Sequence, residues 1–320
     1  MKLSFEVWPN EPYGERPVVG PVINSWGEKP AEWCVERLAS YGYKGVDFVF
    51  DKFLALPERE LERTRRELGH FVRSKGMEIS SVACHTLSIT RREWEREGGL
   101  ARFKQAIDLA ADVGARTVVS FIRGGFYNPP TYIVLPWKEA WENCVQVVRR
   151  AAEYAADKGM DISVELHQES LIDLPEHALN LLDDVGRPNV YTCMDFGGMT
   201  VSVKPRVPIM EAVQQLGDTL NLVHVKDITG TVGNWNMCWF GGGIVNFREF
   251  HNALRVINYQ GYLCLEWEGW FRGGAGGRGE PGGPGLQDFD RVATEGKEFL
   301  KRYLINPSNR RRRGRTGWTE

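Results

Sequence analysis

The chain lacks the cysteine pairs and the long apolar runs that mark secreted and membrane proteins. Its six cysteines stand singly along 320 residues, with no C-x-x-C pair, and a chain of this length needs no disulfides to fold. The apolar runs are no longer than strands, which excludes a membrane span. The N-terminal residues include the acidic Glu6 and do not resemble a secretory signal. These absences predict a cytoplasmic protein with reduced, mostly buried thiols.

An excess of charge of one sign is also missing. The chain has 40 Lys and Arg residues against 42 Asp and Glu residues, a net charge of −2. Because nucleic-acid and anionic-membrane binders carry strongly basic surfaces, we expect neither nucleic acid nor membrane as a partner. No G-x-G-x-x-G or Walker-type loop is present, which weakens the case for a nucleotide-binding open sheet.

What the sequence does contain is a β-rich run followed by a helical pattern, repeated eight times. The predicted strands are 3–7, 45–50, 78–84, 117–122, 162–167, 190–196, 220–225 and 262–267. The predicted helices are 31–41, 58–74, 100–113, 137–158, 176–185, 209–216, 247–256 and 288–303. Eight such units favour a single-domain (β/α)8 TIM barrel of the α/β class. The alternative is a doubly wound open sheet.

We place the barrel in residues 1–305 and a basic tail in residues 306–320. Two long loops, 229–246 and 273–285, follow strands 7 and 8, at the rim where barrel enzymes keep their active sites. The second loop is rich in glycine and is either an idle flexible loop or a mobile lid. The Arg-rich tail is either solvated or a docking segment for a partner.

Polar side chains collect at the ends of four successive strands. They are Glu165 and His167 on strand 5, Asp195 on strand 6, His224 and Lys226 on strand 7, and Glu266 on strand 8. Residues two apart on a strand share a face, and the residues between them are apolar and suit packing against helices. The polar face is therefore expected inside the barrel, where an isolated carboxylate is costly unless it is paired or binds a metal.

Four of these residues form a candidate metal site: Glu165, Asp195, His224 and Glu266. Three carboxylates and one imidazole suit a hard divalent cation, with Mn2+ preferred and Mg2+, Co2+ or Zn2+ as alternatives. A set of buried salt bridges that includes Lys226 is the other interpretation. The spacing contains no local metal-binding motif, so the recurrence at strand ends is what supports the metal site.

The C-terminal half also contains motifs of a known family. They are V-E-L-H at 164–167, M-D-F-G at 194–197, H-V-K-D at 224–227, G-G-G-I-V-N-F at 241–247 and G-Y-L-C-L-E-W-E-G at 261–269. Together they resemble the xylose isomerase-like barrel superfamily, the sugar phosphate isomerase and epimerase group. Its branch of C-glycoside deglycosidase catalytic subunits is a further candidate.

The resemblance implies that the four strand-end residues bind one divalent ion. It also implies that Glu165 and Glu266 act as an acid/base pair on opposite faces of a sugar. Such an enzyme removes the proton beside a sugar carbonyl and forms an enediolate. The expected activity is that of a sugar isomerase or epimerase in carbohydrate metabolism. The alternative is a carbon–carbon or carbon–oxygen lyase with the same first step, such as a C-glycoside deglycosidase acting on 3-keto glycosides or a keto-inositol dehydratase.

Two departures from the epimerase pattern favour keeping the lyase alternative. Gly198 stands where those enzymes often have a histidine, and the segment 241–243 lacks an acidic residue. Further candidates for proton transfer are His85, His167 and Lys226, the last as a neutral base. A hydrogen-bonded structural role is the other interpretation of His85.

The expected substrate is a small sugar or glycoside. We expect either a homo-oligomer or a complex with a smaller subunit. A phosphodiesterase with a three-metal cluster would need more histidines at strand ends than this chain offers. A binding protein without catalysis would not need the complete set of four candidate ligands.

Overall fold

The structure is a computed structural model that describes residues 1–7, 29–54, 56–122, 135–168, 170–201, 207–231, 234–267 and 289–305. The glycine-rich loop 273–285 and the basic tail 306–320 lie outside the described residues, so the predictions made for them stay predictions.

Eight parallel strands close into a barrel. They are β1 Lys2–Val7, β2 Gly45–Val49, β3 Glu78–Ala83, β4 Thr117–Ser120, β5 Asp161–Leu166, β6 Val190–Asp195, β7 Leu220–Val225 and, after a hairpin, β10 Tyr262–Leu265. Each strand pairs with its neighbour in the chain, and β1 pairs with β10 to close the ring. The predicted single-domain (β/α)8 barrel is confirmed, with every predicted strand within two residues of its observed ends.

Helices follow the strands on the outside. They are α1 Ala31–Ser40, α2 Asp51–Leu54, α3 Glu58–Ser74, α4 Glu93–Val113, α5 Trp137–Asp157, α6 Pro175–Val185, α7 Phe196–Thr200, α8 Ile209–Leu216 and α9 Phe247–Val256. A last segment alternates α and π turns over Phe289–Arg291, Val292–Gly296, Lys297–Leu300 and Lys301–Ile305. The prediction of one regular helix at 288–303 is wrong in this detail.

Two further predictions need correction. Helix α4 begins at Glu93, not at residue 100. The prediction placed the start too late because the first turns are charged and show no apolar stripe; Trp94 there is 71% exposed. The segment 229–246 is not all loop, since an antiparallel hairpin pairs β8 Ile228–Thr231 with β9 Asn234–Met237. The short helices α2 and α7 were missed because four or five residues are too few to show a helical period.

The two faces of the barrel strands pack differently. Val164, Leu166 and Val223 point outward into the large apolar cluster shared with the helices, as the alternation predicts. A smaller cluster that includes Val119 and Leu222 fills the barrel interior. Burying each such side chain contributes about 1.5–3 kcal/mol, so the barrel is a packed core and polar groups inside it need specific partners.

The structure shows the state of the cysteine thiols and the length and polarity of the helices. None of the six cysteines forms a disulfide, and five of them are buried. Burial raises the pKa of Cys34 to about 11 and that of Cys84 to about 12, so both stay protonated and unreactive at neutral pH. None of the helices in the described residues is long and apolar enough to cross a bilayer.

We predict opposite stability effects for two adjacent glycines of α4. A Cβ at Gly99 would clash with the carbonyl oxygen of Thr86, which is backbone and cannot swing away, whereas a Cβ at Gly98 meets nothing within 4 Å. Gly99→Ala should lower the free energy of unfolding by about 1–3 kcal/mol. Gly98→Ala should raise it by about 0.5–1 kcal/mol, since alanine is the better helix former. Urea unfolding of both variants tests this, and equal effects would contradict the packing described here.

Candidate active site

The four predicted metal ligands lie at the carboxyl ends of neighbouring strands. Glu165 lies on β5, Asp195 ends β6, His224 lies on β7, and Glu266 directly follows β10. All four side chains are buried. In parallel pairing Asp195 lies opposite His224, so strand register alone brings two of the four together. This end of the barrel is where barrel enzymes build their active sites.

His224 is the centre of the group. Its Nδ1 lies 3.2 Å from Glu165 Oε1 and 3.5 Å from Glu266 Oε2. One ligand atom from each of these three residues lies within 4.8 Å of the others, a grouping that could hold a metal ion. The structure therefore brings together three of the predicted ligands around one point, with Asp195 on the neighbouring strand.

Lys226 connects Asp195 to this group. Its Nζ lies 3.0 Å from Asp195 Oδ2 and 3.1 Å from Glu266 Oε2, and its side chain is buried. Buried salt bridges, the alternative interpretation of these residues, are thus present together with the convergence of ligand atoms. Two carboxylates at this distance favour the charged ammonium, so this geometry disfavours Lys226 as a neutral base.

The pKa values of Glu165 and Asp195 shift in opposite directions, because burial and nearby charge have different weights at the two residues. Burial is the largest single influence and raises the pKa of Glu165, but His224, His167 and His85 together outweigh burial and hold it below its usual value. Burial raises the pKa of Asp195, although Lys226 opposes the shift. Asp195 Oδ1 also accepts a 3.0 Å hydrogen bond from the Gly198 N–H and so caps helix α7.

Gly198 has no room for a side chain. A Cβ there would clash with Gln168 Oε1 and with Asp195 Oδ2. A histidine at this position, as in the epimerase pattern, would have to displace the Asp195 carboxylate. The departure noted in the sequence therefore changes the shape of the site next to a predicted ligand.

Two buried acids inside the barrel were missed by the sequence analysis. Asp47 on β2 accepts a hydrogen bond from Ser81 Oγ, and its Oδ2 lies 3.7 Å from His224 Nε2. Glu6 on β1 lies opposite Asp47 in the strand register and is also fully buried. The signal was present in the sequence, because each is a carboxylate with an apolar residue on either side within a strand, as at Glu165.

The two other predicted histidines lie on the wall formed by β3, β4 and β5. His85 follows β3 and His167 follows β5, and both rings stack on Phe121, which follows β4, with centroid distances of 4.5 Å and 4.4 Å. Phe121 was not predicted, since a single phenylalanine after a strand gives no signal.

Asp227, which follows β7, binds the backbone of the segment before α9 and is not one of the candidate metal ligands. Its carboxylate accepts backbone hydrogen bonds from Gly241 at 2.7 Å, Gly243 at 3.1 Å, Ile228 at 3.0 Å and Val245 at 3.4 Å. These bonds fix the turn before α9 and explain why the sequence there is rich in glycine.

Comparisons with known proteins agree with this architecture. A family model described as xylose isomerase-like TIM barrel matches residues 35–301. L-ribulose 3-epimerase of Methylomonas sp. (strain DH-1) is 30% identical over 132 residues, which are 40% of this chain and 43% of that protein. Inosose dehydratase of Geobacillus thermodenitrificans (strain NG80-2) is 23% identical over 263 residues, 76% of this chain and 83% of that protein.

Solved structures show the same fold. A crystal structure of D-psicose 3-epimerase in the presence of D-fructose superposes with a TM-score of 0.72 and 17% identity, over 95% of this chain and 99% of that one. At this identity the likeness shows the fold alone. The site residues of this chain must therefore be argued from their own geometry.

We predict that metal binding at His224 weakens as the pH falls. Burial lowers the pKa of His224, but the negative groups around the ring, Glu165 and Glu266 among them, outweigh burial and hold it well above its usual value. Below that raised pKa both ring nitrogens carry protons, so a metal ion must displace one. The affinity for Mn2+ should therefore rise about tenfold per pH unit across roughly pH 6–8, with about one proton released.

Isothermal titration calorimetry in two buffers of different protonation enthalpy counts that proton. Glu165, whose pKa is lowered, is already ionised in this range and adds no pH dependence. Affinity that does not change with pH would contradict a protonated His224 in the metal-free protein.

Proposed function

The chain belongs to the xylose isomerase-like TIM barrel family, and from that premise we propose that it removes a proton beside the carbonyl of a keto sugar with the help of one divalent metal ion. It is an enzyme of the isomerase/epimerase or lyase kind, as its sequence relatives are. The observation that carries the proposal is the convergence of Glu165, His224 and Glu266 ligand atoms within 4.8 Å at the catalytic end of the barrel.

The donor set fits a hard divalent ion, with Mn2+ preferred and Mg2+, Co2+ or Zn2+ as alternatives. Glu165, Glu266 and His224 would hold it, together with Asp195. Charge supports the fit. Three carboxylates carry three negative charges, and Lys226 supplies only one positive charge against them. A divalent ion with neutral His224 would offset the two negative charges that remain on these three acids, and Asp47 beside His224 adds a further acid.

A bound divalent ion polarises a ketone and its neighbouring hydroxyl and so acidifies the C–H between them. The residues of this chain supply the rest. Glu165 and Glu266 are the proposed acid/base pair on the two faces of the sugar. The Lys226 ammonium holds the Glu266 carboxylate at 3.1 Å and can donate a hydrogen bond to a substrate oxygen. His85 and His167 lie on the neighbouring β3–β5 wall, each stacked on Phe121.

What happens after the first proton transfer decides the product. Return of the proton to the same carbon from the other face gives an epimer, as in the L-ribulose 3-epimerase relative. Loss of a neighbouring hydroxyl gives a dehydration product, as in the inosose dehydratases, which match a larger share of this chain. Cleavage of a 3-keto C-glycoside begins in the same way and would yield two carbon fragments.

We predict that the purified protein holds about one divalent ion per chain and that Asp195→Asn loses it. Asp195 is a ligand candidate without a proposed role in proton transfer, so its loss reports on binding alone. Asp173→Asn is the matched control, since Asp173 is also buried and ion-paired, in its case with His177. Plasma mass spectrometry gives the metal content. Absence of any ion after Mn2+ is supplied would overturn the proposed function.

We further predict exchange of a substrate C–H with solvent. The Mn2+-loaded protein in D2O, given ketohexoses and a keto-inositol, should incorporate one deuterium beside the carbonyl. Mass spectrometry of the product separates the outcomes, because an epimer keeps the mass apart from the deuterium and a dehydratase product has lost water. A lack of both exchange and product with every keto sugar tested, while the metal is bound, would rule out enolisation of free keto sugars.

A further inference from the structure

We propose that the side-chain amide of Gln168 supplies a further oxygen ligand for the divalent ion, beside Asp195. This inference deepens the proposed function and rests on it, because it adds a neutral oxygen donor to the proposed metal site. Gln168 was not among the residues that the sequence indicated. Its side chain has no ionisable group, so its role depends on where its oxygen lies and not on pH.

Gln168 lies in the turn that follows β5, at the same end of the barrel as the candidate ligands. Backbone hydrogen bonds fix this turn. The His167 N–H donates to the Ile172 carbonyl oxygen at 3.1 Å, and the Ser170 N–H donates to the His167 carbonyl oxygen at 3.2 Å. Gln168 itself is 3% exposed. A buried side chain on a fixed turn has few conformations open to it, so the amide is held close to one place.

The amide oxygen of Gln168 lies next to the carboxylate of Asp195. An ideal Cβ on Gly198 would overlap Gln168 Oε1 and Asp195 Oδ2 at once, so the two oxygens flank one point. Asp195 Oδ2 in turn lies 3.0 Å from Lys226 Nζ, and Lys226 Nζ lies 3.1 Å from Glu266 Oε2. Gln168 Oε1 therefore extends a row of polar atoms that already contains two predicted metal ligands.

Gln168 Oε1 is a buried oxygen with no hydrogen-bond partner among the described residues. Asp195, by contrast, is paired with the Lys226 ammonium and accepts a hydrogen bond from the Gly198 N–H. A buried amide oxygen without a partner lowers the stability of a protein. The carboxylate oxygen beside it adds repulsion, since both atoms carry negative charge. The metal-free protein therefore keeps Gln168 at a cost in stability.

A divalent cation is the partner that satisfies both oxygens. Amide and carboxylate oxygens are ligands that Mg2+ and Mn2+ prefer. The charges of the site favour a cation over a neutral hydrogen-bond donor, because Glu165, Asp195 and Glu266 outnumber Lys226 and a neutral donor would leave that excess unbalanced. A cation bound by both oxygens replaces their repulsion by a shared attraction. The position of Gln168 thus lowers the stability of the metal-free protein and raises its affinity for the ion.

Replacement of the amide by an apolar side chain of similar shape tests both effects. Gln168→Met should lower the affinity for Mn2+ by about tenfold or more, since an oxygen ligand is lost. The same variant should raise the melting temperature of the metal-free protein by about 2 °C or more, since an unpaired buried oxygen is removed. A residue that only supports the fold would lose stability when it is replaced, and it would not combine weaker metal binding with higher stability.

A carboxylate at the same position should have the converse effects. Gln168→Glu keeps the size of the side chain and places a second carboxylate beside Asp195. It should raise the affinity for Mn2+ by about tenfold and lower the melting temperature of the metal-free protein, because like charges repel. Gln105→Met and Gln105→Glu are the matched controls, since Gln105 is exposed on α4. Neither control should change the affinity or the melting temperature measurably.

Isothermal titration calorimetry of the full-length, metal-free protein with Mn2+ at one fixed pH gives the affinities, and thermal unfolding followed by circular dichroism gives the melting temperatures. A Gln168→Met variant that binds Mn2+ as tightly as the native protein would overturn the assignment of Gln168 as a ligand. A lower melting temperature for that variant would also overturn it, because it would show that the amide donates a hydrogen bond within the protein, for example to Asp195.

These measurements separate this inference from the proposed function. If the native protein binds Mn2+ and Gln168→Met binds it equally well, the metal site stands without Gln168. If the native protein binds no Mn2+, the proposed function fails and the role of Gln168 as a ligand fails with it. Both results are obtained without knowledge of the sugar substrate.

Discussion

The burial of three carboxylates in one apolar barrel is the constraint on which the rest of the site depends. An unpaired charge at such a position costs several kcal/mol. The polar and charged groups near Glu165, Asp195 and Glu266 reduce that cost by pairing with the carboxylates. His224 contacts Glu165 and Glu266, and Lys226 contacts Asp195 and the same Glu266. Because both cations come from β7, that strand compensates acids that its neighbours β5, β6 and β10 supply.

The positive charges do not balance the negative charges of the acids, and this difference bears on cation binding. His224 and Lys226 together carry at most two positive charges against three carboxylates, and Asp47 adds another acid 3.7 Å from His224 Nε2. A fully neutral network would bind a cation weakly. A site left with negative charge suits a divalent ion, and under the proposed function His224 would release a proton when the ion binds. The buried network and the proposed metal site are thus two aspects of one set of residues.

The barrel mouth is chemically asymmetric. The β6–β10 side holds the charged groups, whereas the β3–β5 side holds His85, Phe121 and His167, which are aromatic and held by backbone contacts. Charged groups suit a metal ion and polarised oxygens, whereas stacked aromatic rings offer a flat, less polar surface. At Gly198, where the epimerase pattern would place another histidine, the side chains of Gln168 and Asp195 occupy the space that a Cβ would need.

The sequence alone was enough to predict the barrel and four of its polar strand ends, because a period of two along a strand and a helix after each strand are local properties of the chain. Which side chains face one another across the barrel is not local. The pairing of Lys226 with Asp195, the approach of Asp47 to His224, and the place of Phe121 between two imidazoles all depend on closure and register of the strands. Only the tertiary structure decides those contacts, since they join residues that are tens to nearly two hundred positions apart in the chain.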